Sequence, residues 1–282
     1  MTDQRVLAVL GAGVVPADTP VLRADDLGLI RGDGIFEVAH VRDGRAWLLD
    51  EHLARLAHSA ARMDLTLPAP SALRDLVAQA LAQWPADVEG GVRLVVTRGP
   101  ETGGPATVFA TVLPVSATNL RGRHHGIRVR TATLGFPATL RSDAPWLLGG
   151  AKTLSYAVNM ASQRWAQSQG ADDLLWISSD GYALEAPTSN LVWLDGQTLC
   201  TVPAATTGIL AGITAAHLFA HAGELGWRTD TRMIAPAELA RVDGAWLTSS
   251  LRGIAAIREL DGVELPYDAE LTGRIRAFLG FP

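Results

Sequence analysis

Lysine is nearly missing from this chain: among 24 lysines and arginines, Lys152 in "GGAKTLSYAVNM" is the one lysine. A guanidinium does not deprotonate at accessible pH and is a poor nucleophile, whereas a desolvated amine can form a Schiff base. A composition that uses arginine for every other cation therefore directs attention to one position. Cysteine is equally scarce. Cys200 alone excludes an intramolecular disulfide and a thiolate metal cluster, fits a reducing compartment, and sits in a strand-like segment as a small hydrophobe. An excess of positive charge is also missing: a net charge of −5 with 19% charged residues gives no basic field for nucleic acid or anionic lipid. No apolar run reaches membrane-spanning length uninterrupted, and "MTDQRVLAVLGAGVVPADTP" has no cationic flank of a secretory leader, so the expected compartment is the cytoplasm.

What is present is a chain of 282 residues, 48% hydrophobic with 28 Gly and 15 Pro, enough for one large core or two smaller ones. In "GDGIFEVAHVRDGRAWLL", Ile35, Ala39 and Val41 fall on one face and Phe36 and Val38 on the other, and the "RDG" turn makes the stretch a β-hairpin. "DEHLARLAHSAARMDL" has helical spacing behind Asp50 as cap, and "SALRDLVAQALAQW" predicts a second helix capped by Ser71. Strands are expected at "VRLVVTRG" and "ATVFATVLPV", after which "PVSATNLRGR" loses periodicity. The expected division is an N-terminal α/β domain over 1–116, a linker over 117–122 and a C-terminal domain over 123–282.

In the C-terminal part, the sequence from Lys152 to about Gln169 predicts a helix closed by Gly170. "DLLWISSDGYALEAPTSNLVWLDGQTLCTV", with its two Asp-Gly turns, predicts an antiparallel meander. Further helices are expected at "GITAAHLFAHAGELGW" and "AELTGRIRAFLGF", and a strand at "GAWLTSS". The fold class is α/β in the α+β sense: two mixed halves with largely antiparallel sheets.

Four features carry chemistry. "TGILAGITAAHL" places glycines before a helix, where unpaired N–H groups and the dipole attract a phosphate. "WLTSSLRG" offers the hydroxyls of Thr248, Ser249 and Ser250 for the same anion or for turn capping. Glu185 in "YALEAPTSN" ends an apolar strand beside Pro187, where a buried carboxylate must be paired. Lys152 is the fourth. His217 and His221 share a helix face but have no third zinc ligand in sequence reach, and His124-His125 reads as surface, so no metal site is expected. "LGAGVVP" lacks the third glycine and the helix of a dinucleotide fingerprint.

A unique lysine, a strand-terminal acid, a phosphate-type helix start and a hydroxyl-rich turn are the parts of a pyridoxal 5'-phosphate site. In this order, from "LRADDLGLIRGDGIFE" to "WLTSS", the chain resembles the class IV aminotransferase family, the fold type IV pyridoxal phosphate enzymes. That family includes branched-chain and D-amino acid aminotransferases, (R)-selective amine transaminases and aminodeoxychorismate lyase. The resemblance implies roles for particular residues. Lys152 corresponds to the Schiff-base lysine that also moves the substrate's α-proton, and Glu185 to the acid that keeps the pyridine nitrogen protonated. Arg55 in "DEHLARL", Ile213 and Thr214 in "ILAGIT", and Ser250 correspond to phosphate-binding positions. Tyr156 falls near the place of a tyrosine that contacts the ring hydroxyl, though spaced differently. A homodimer is implied as well.

Substrate class is less sharply marked. Phe36 stands where D-amino acid aminotransferases carry a substrate-binding Tyr, and "PETGGP" lacks their Arg-x-His carboxylate trap. Arg98 or Arg252 could take over a substrate carboxylate, or the substrates could be amines. "PWLLGGAKTLSYAVNMA" resembles aminodeoxychorismate lyases, yet Val38 replaces the Thr that assists pyruvate elimination, and a methyl group makes no hydrogen bond. Branched-chain specificity fits less well, because Arg252 and Gly253 alter the turn after "TSS". The expectation is a transaminase using D-amino acids or (R)-amines with a 2-oxo acid acceptor such as pyruvate; the lyase forming 4-aminobenzoate and pyruvate is the alternative.

Overall fold

The period-two segments of the first half join into one antiparallel sheet. In the computed structural model, which describes residues 5–282, the first four residues of the stretch read for a leader lie outside the described part. β1 (Val6–Val9), β2 (Gly13–Val15), β3 (Gly34–Arg42), β4 (Arg45–Ala46), β5 (Gly90–Thr97) and β6 (Val108–Pro114) are ordered β2-β1-β6-β5-β3-β4. With α1 (Leu27–Arg31), α2 (Leu49–Arg62) and α3 (Pro70–Leu81) they form a unit that runs through Ser116 and takes in Ala151–Tyr156. Ile35, Ala39 and Val41 share a buried face and pack with Leu53, Leu56 and Leu76 of the helices. The Asp43-Gly44 turn has φ of 51° and 67°, the left-handed pair a two-residue hairpin needs. The hairpin is short, however, and β3 finds its long partner in β5, Gly34–Val41 against Thr97–Gly90.

Both expected helix caps are corrected. α2 starts behind Leu48, without a side-chain cap, and Asp50 lies inside its first turn, where a negative charge meets the helix dipole. α3 starts at Pro70, whose fixed φ suits the first helical position, one residue ahead of Ser71.

The second unit comprises Ala117–Gly150 and Ala157–Pro282. It opens on a helix, α4 (Ala117–His125), where a linker is expected: its polar sequence shows no apolar stripe, and what it buries is Gly122 and Arg123. There follow β7 (Ile127–Thr133), α5 (Leu140–Asp143), α6 (Ala157–Ser168), β8 (Asp173–Ile177), β9 (Asn190–Asp195), β10 (Thr198–Thr201), α7 (Ala204–Thr207), α8 (Ile213–Ala220), β11 (Arg228–Thr231), β12 (Gly244–Ser249), β13 (Gly253–Leu260), β14 (Val263–Glu264) and α9 (Ala269–Phe278). Their sheet is ordered β11-β10-β9-β12-β13-β7-β8, with β14 on β13. It is mixed, more so than the expected meander: β10 with β11, β13 with β7 and β7 with β8 pair parallel. Parallel neighbours need a crossover, and the helical segments between β7 and β8 and between β10 and β11 supply it. The core gathers Leu174, Leu191, Trp193, Cys200, Leu247 and Ile257. Among the described residues, no helix is long and apolar enough to cross a membrane.

Candidate active site

Lys152 is not in a helix. Ala151–Tyr156 is irregular, with a single bridge from Thr153 to Ile35 and a bend at Leu154, and α6 starts only at Ala157, while Gly170 does take the left-handed φ, 75°, just beyond its end. The reason is an edge of β3 that β4 covers only at Val41 and Arg42. At the other end of that edge Phe36 N–H donates to the Lys152 carbonyl (3.1 Å), and Leu154 N–H donates to the Gly34 carbonyl (2.8 Å). Lys152 N–H donates to Ser59 Oγ (3.0 Å), presented by the buried face of α2. Backbone hydrogen bonds on both sides thus fix the residue that carries the amine. Its Nζ lies 4.2 Å from the centre of the Phe36 ring and donates to Tyr156 Oη at 3.5 Å. The two rings meet edge to face at 5.2 Å. A cation over a ring face is attracted by the ring quadrupole, so the two aromatics hold the amine end as the backbone holds its root.

Glu37, next to Phe36, points to the opposite face and is 3% exposed. It accepts from Arg55 Nε (2.7 Å) and Nη2 (2.8 Å), and its second oxygen faces His52 Nδ1 at 2.7 Å. Burial opposes ionisation of this carboxyl, but the Arg55 charge and the hydrogen bonds from Arg55 and His52 outweigh it and leave the pKa at about 2. Arg55 is thereby oriented by a buried acid.

Arg98 and Arg252 both have partners inside the protein. Arg98 donates to Asp33 Oδ2 (2.7 Å) and to the carbonyls of Asp64 (3.0 Å) and Met63 (2.7 Å), closing the end of α2. Arg252 is buried and donates to Asp173 Oδ2 (2.7 Å), itself buried. Arg98 is engaged within the first unit; Arg252 is paired with Asp173 within the second, and its buried Nε has no partner among the described residues. The arginine that sequence reading passed over is Arg93. It is exposed in the middle of β5, paired in register with Val38 and Thr111, and has no hydrogen-bond or ionic partner among the described residues. Its face of the sheet is the one that carries Phe36 and Val38. A cavity of about 440 Å³ there is lined by Arg5, Arg93, Val95, Phe109, Thr111 and Leu154 among others, and by no carboxylate. The available signal was one arginine inside the apolar run "GGVRLVVT".

In the second unit, Glu185 is buried and bridges to Asn190 across the "APTS" turn. Arg141 Nη1 donates to its Oε1 (3.0 Å) and Leu210 N–H to its Oε2 (3.1 Å). Asn190 Nδ2 donates to the Leu210 carbonyl (2.7 Å), and a Cβ on Gly212 would meet Asn190 Oδ1. Glu185 and the start of α8, with Ile213 and Thr214, are therefore brought together, and Gly212 leaves room for the Asn190 amide. Thr214 Oγ1 is buried with no partner. A buried orphan hydroxyl costs stability unless a ligand meets it, and here it sits at a helix N-terminus suited to phosphate. Ser250 follows β12 in a partly exposed turn. Within the second unit, the carboxylate, the buried hydroxyl and the helix N-terminus fit the chemistry of a pyridine nitrogen and a phosphate, and the first unit carries an amine able to form a Schiff base. The His217–His221 pair is engaged locally, His221 Nδ1 with the His217 carbonyl at 2.9 Å.

Comparison with known proteins shows the family. The sequence matches the family described as amino-transferase class IV over residues 34–260, and the chain belongs to that family. It is 40% identical, over 93% of both chains, to the bifunctional aminodeoxychorismate lyase / D-amino acid transaminase of Mycobacterium tuberculosis. It is 28% identical to the D-alanine aminotransferase of Bacillus licheniformis, over 84% of this chain and 82% of the other. Among solved structures, a hypothetical aminotransferase from Mycobacterium tuberculosis in its α-ketoglutarate and PMP bound form is 40% identical, with a TM-score of 0.93 over 97% of this chain and 98% of that one. A fold IV-transaminase from Curtobacterium pusillum is 39% identical, with a TM-score of 0.92 over 98% and 97%. The chain is a pyridoxal phosphate-dependent class IV aminotransferase of fold type IV.

Proposed function

We propose that this aminotransferase moves an amino group from D-amino acids or (R)-amines to a 2-oxo acid such as pyruvate, as a cytoplasmic homodimer. The observation that carries the reading is the Lys152 amine, rooted on the β3 edge and capped by Phe36 and Tyr156. Bound pyridoxal phosphate supplies an electron sink conjugated with the substrate's amino nitrogen. Lys152 holds the cofactor covalently and carries the proton to and from the substrate's α-carbon. Glu185, fixed by Arg141 and the Leu210 N–H, accepts from the protonated ring nitrogen. Arg55, the Ile213 N–H, Thr214 and Ser250 take the phosphate, and Tyr156 the ring hydroxyl. Phe36 and Val38 line the substrate side. Arg93, a cation without a partner on that face, receives the substrate carboxylate in place of Arg98 and Arg252.

A second reading, aminodeoxychorismate lyase, is favoured by the relative at 40% identity whose name couples both activities. Val38 speaks against it, because it offers no hydroxyl for pyruvate elimination. One assay on the yellow holoenzyme separates the two. Amino transfer from D-alanine or (R)-1-phenylethylamine to an oxo acid is the expected result. Release of pyruvate and 4-aminobenzoate from aminodeoxychorismate, with no amino transfer, would replace this reading by the lyase.

A further inference from the structure

Arg123 is 1% exposed, in a helix that buries little else. Its Nη2 donates to the Leu251 carbonyl at 2.7 Å and its Nε to the Arg252 carbonyl at 3.2 Å. Its guanidinium carbon lies 4.9 Å from the centre of the Phe281 ring. Phe281 is itself buried, and its N–H donates to the Arg276 carbonyl at 3.1 Å, just beyond α9. Gly253 closes the cluster: its φ is 70°, and a Cβ there would come 2.8 Å from the Phe281 ring. Two carbonyls directly after Ser250 are thus held by one guanidinium, and that guanidinium is held by the aromatic ring.

Burying a guanidinium costs several kcal/mol before its partners are counted, and an apolar side chain of similar volume would serve packing equally well. What a fork of N–H donors adds is orientation. In a trans peptide the N–H points away from its carbonyl, so fixing the Leu251 carbonyl toward Arg123 turns the Arg252 N–H to the opposite side of the turn. The buried pair of Arg252 with Asp173 holds the same turn by its side chain.

We infer that Arg123 is a positioning residue for the cofactor phosphate: it sets the Leu251–Arg252 and Arg252–Gly253 peptide planes of the turn that follows Ser250, and Phe281 sets Arg123. The inference rests on the assignment of Ser250 to the phosphate. Its test is an absorbance titration of the apoenzyme with pyridoxal phosphate and, separately, with pyridoxal, which lacks the phosphate. Arg123→Met is expected to weaken pyridoxal phosphate about tenfold and pyridoxal less than about twofold. Arg123→Lys, which keeps the charge without the fork, recovers part of the loss, and Phe281→Ala gives a smaller loss with the same selectivity. If Arg123→Met does not fold, Phe281→Ala carries the test. Equal weakening of both ligands, or unchanged affinity for pyridoxal phosphate, overturns the inference. Ser250→Ala separates the two levels: no effect of that variant removes the phosphate assignment itself, whereas a selective effect of Ser250→Ala with none from Arg123→Met or Phe281→Ala overturns the role of Arg123 alone.

Discussion

The two faces of the first sheet use charge in opposite ways, although neighbouring residues of one strand supply both. On the face covered by α2 and α3, Glu37 is enclosed by Arg55 and His52. On the other face, Phe36 and Val38 flank a partnerless Arg93, and the Phe36 ring carries the Lys152 amine. A charge satisfied inside the protein stabilises and orients, and a charge facing a cavity without a counterion is available to a ligand. The alternation of β3 therefore sets a buried, paired charge and an open one at single-residue intervals.

The largest effect belongs to the open face. Lys152→Ala is expected to abolish borohydride-reducible attachment of the cofactor and to lower turnover by at least about 10⁴-fold, because one amine is both anchor and proton carrier. Mass analysis after reduction checks it, and a retained covalent adduct would assign the anchor elsewhere. On the covered face the expected loss is in stability. The Glu37 carboxyl is held at about 2, below its ordinary value of 4.5, so its contribution is fully present above the ordinary value and is lost as pH falls through 2. That contribution is on the order of 3 kcal/mol. Urea unfolding at pH 5 and pH 2.5 is expected to show a steeper loss in the wild type than in Glu37→Gln. Equal slopes would mean that the charge on Glu37 does not matter to the fold.

Legibility in the sequence follows the range of the interactions involved. The alternation of β3, the Asp-Gly turn and the glycine before α8 are local, and each is visible in its own few residues. The docking of Ala151–Tyr156 on β3 is not, because it depends on an edge more than a hundred residues earlier in the chain. The same limit explains the arginines. Nothing near Arg98 announces the carbonyls of Met63 and Asp64, and nothing near Arg252 announces Asp173. Glu185 was legible as an acid closing an apolar stretch, which forms isolated bridges in place of the expected strand, whereas its partner Arg141 lies 44 positions away. Family resemblance supplied the roles of Lys152 and Glu185; the partners of Arg98 and Arg252 needed coordinates.

Arg93 sharpens the comparison at the next level of effect. Arg93→Gln is expected to raise KM for D-alanine about tenfold while leaving (R)-1-phenylethylamine within about twofold, since only the former has a carboxylate to lose. The donor half-reaction is the appropriate readout, because the oxo acid acceptor carries a carboxylate of its own. A parallel change for both donors would mean that Arg93 shapes the cavity without binding the anion.

Val38→Thr is the smallest change. The side chain keeps its β-branched shape, suited to a strand, and exchanges one methyl for a hydroxyl beside Arg93, its partner in register. Transamination of D-alanine is expected to change by less than about threefold, since no bond in that reaction needs the hydroxyl. Pyruvate release from aminodeoxychorismate is expected to rise above the wild-type level, by about tenfold if one hydrogen bond near 1.4 kcal/mol is gained in the transition state. Wild-type release already equal to that of the Thr variant would show that elimination does not depend on residue 38, and the division of labour between the two faces would then not extend to the choice between the two reactions.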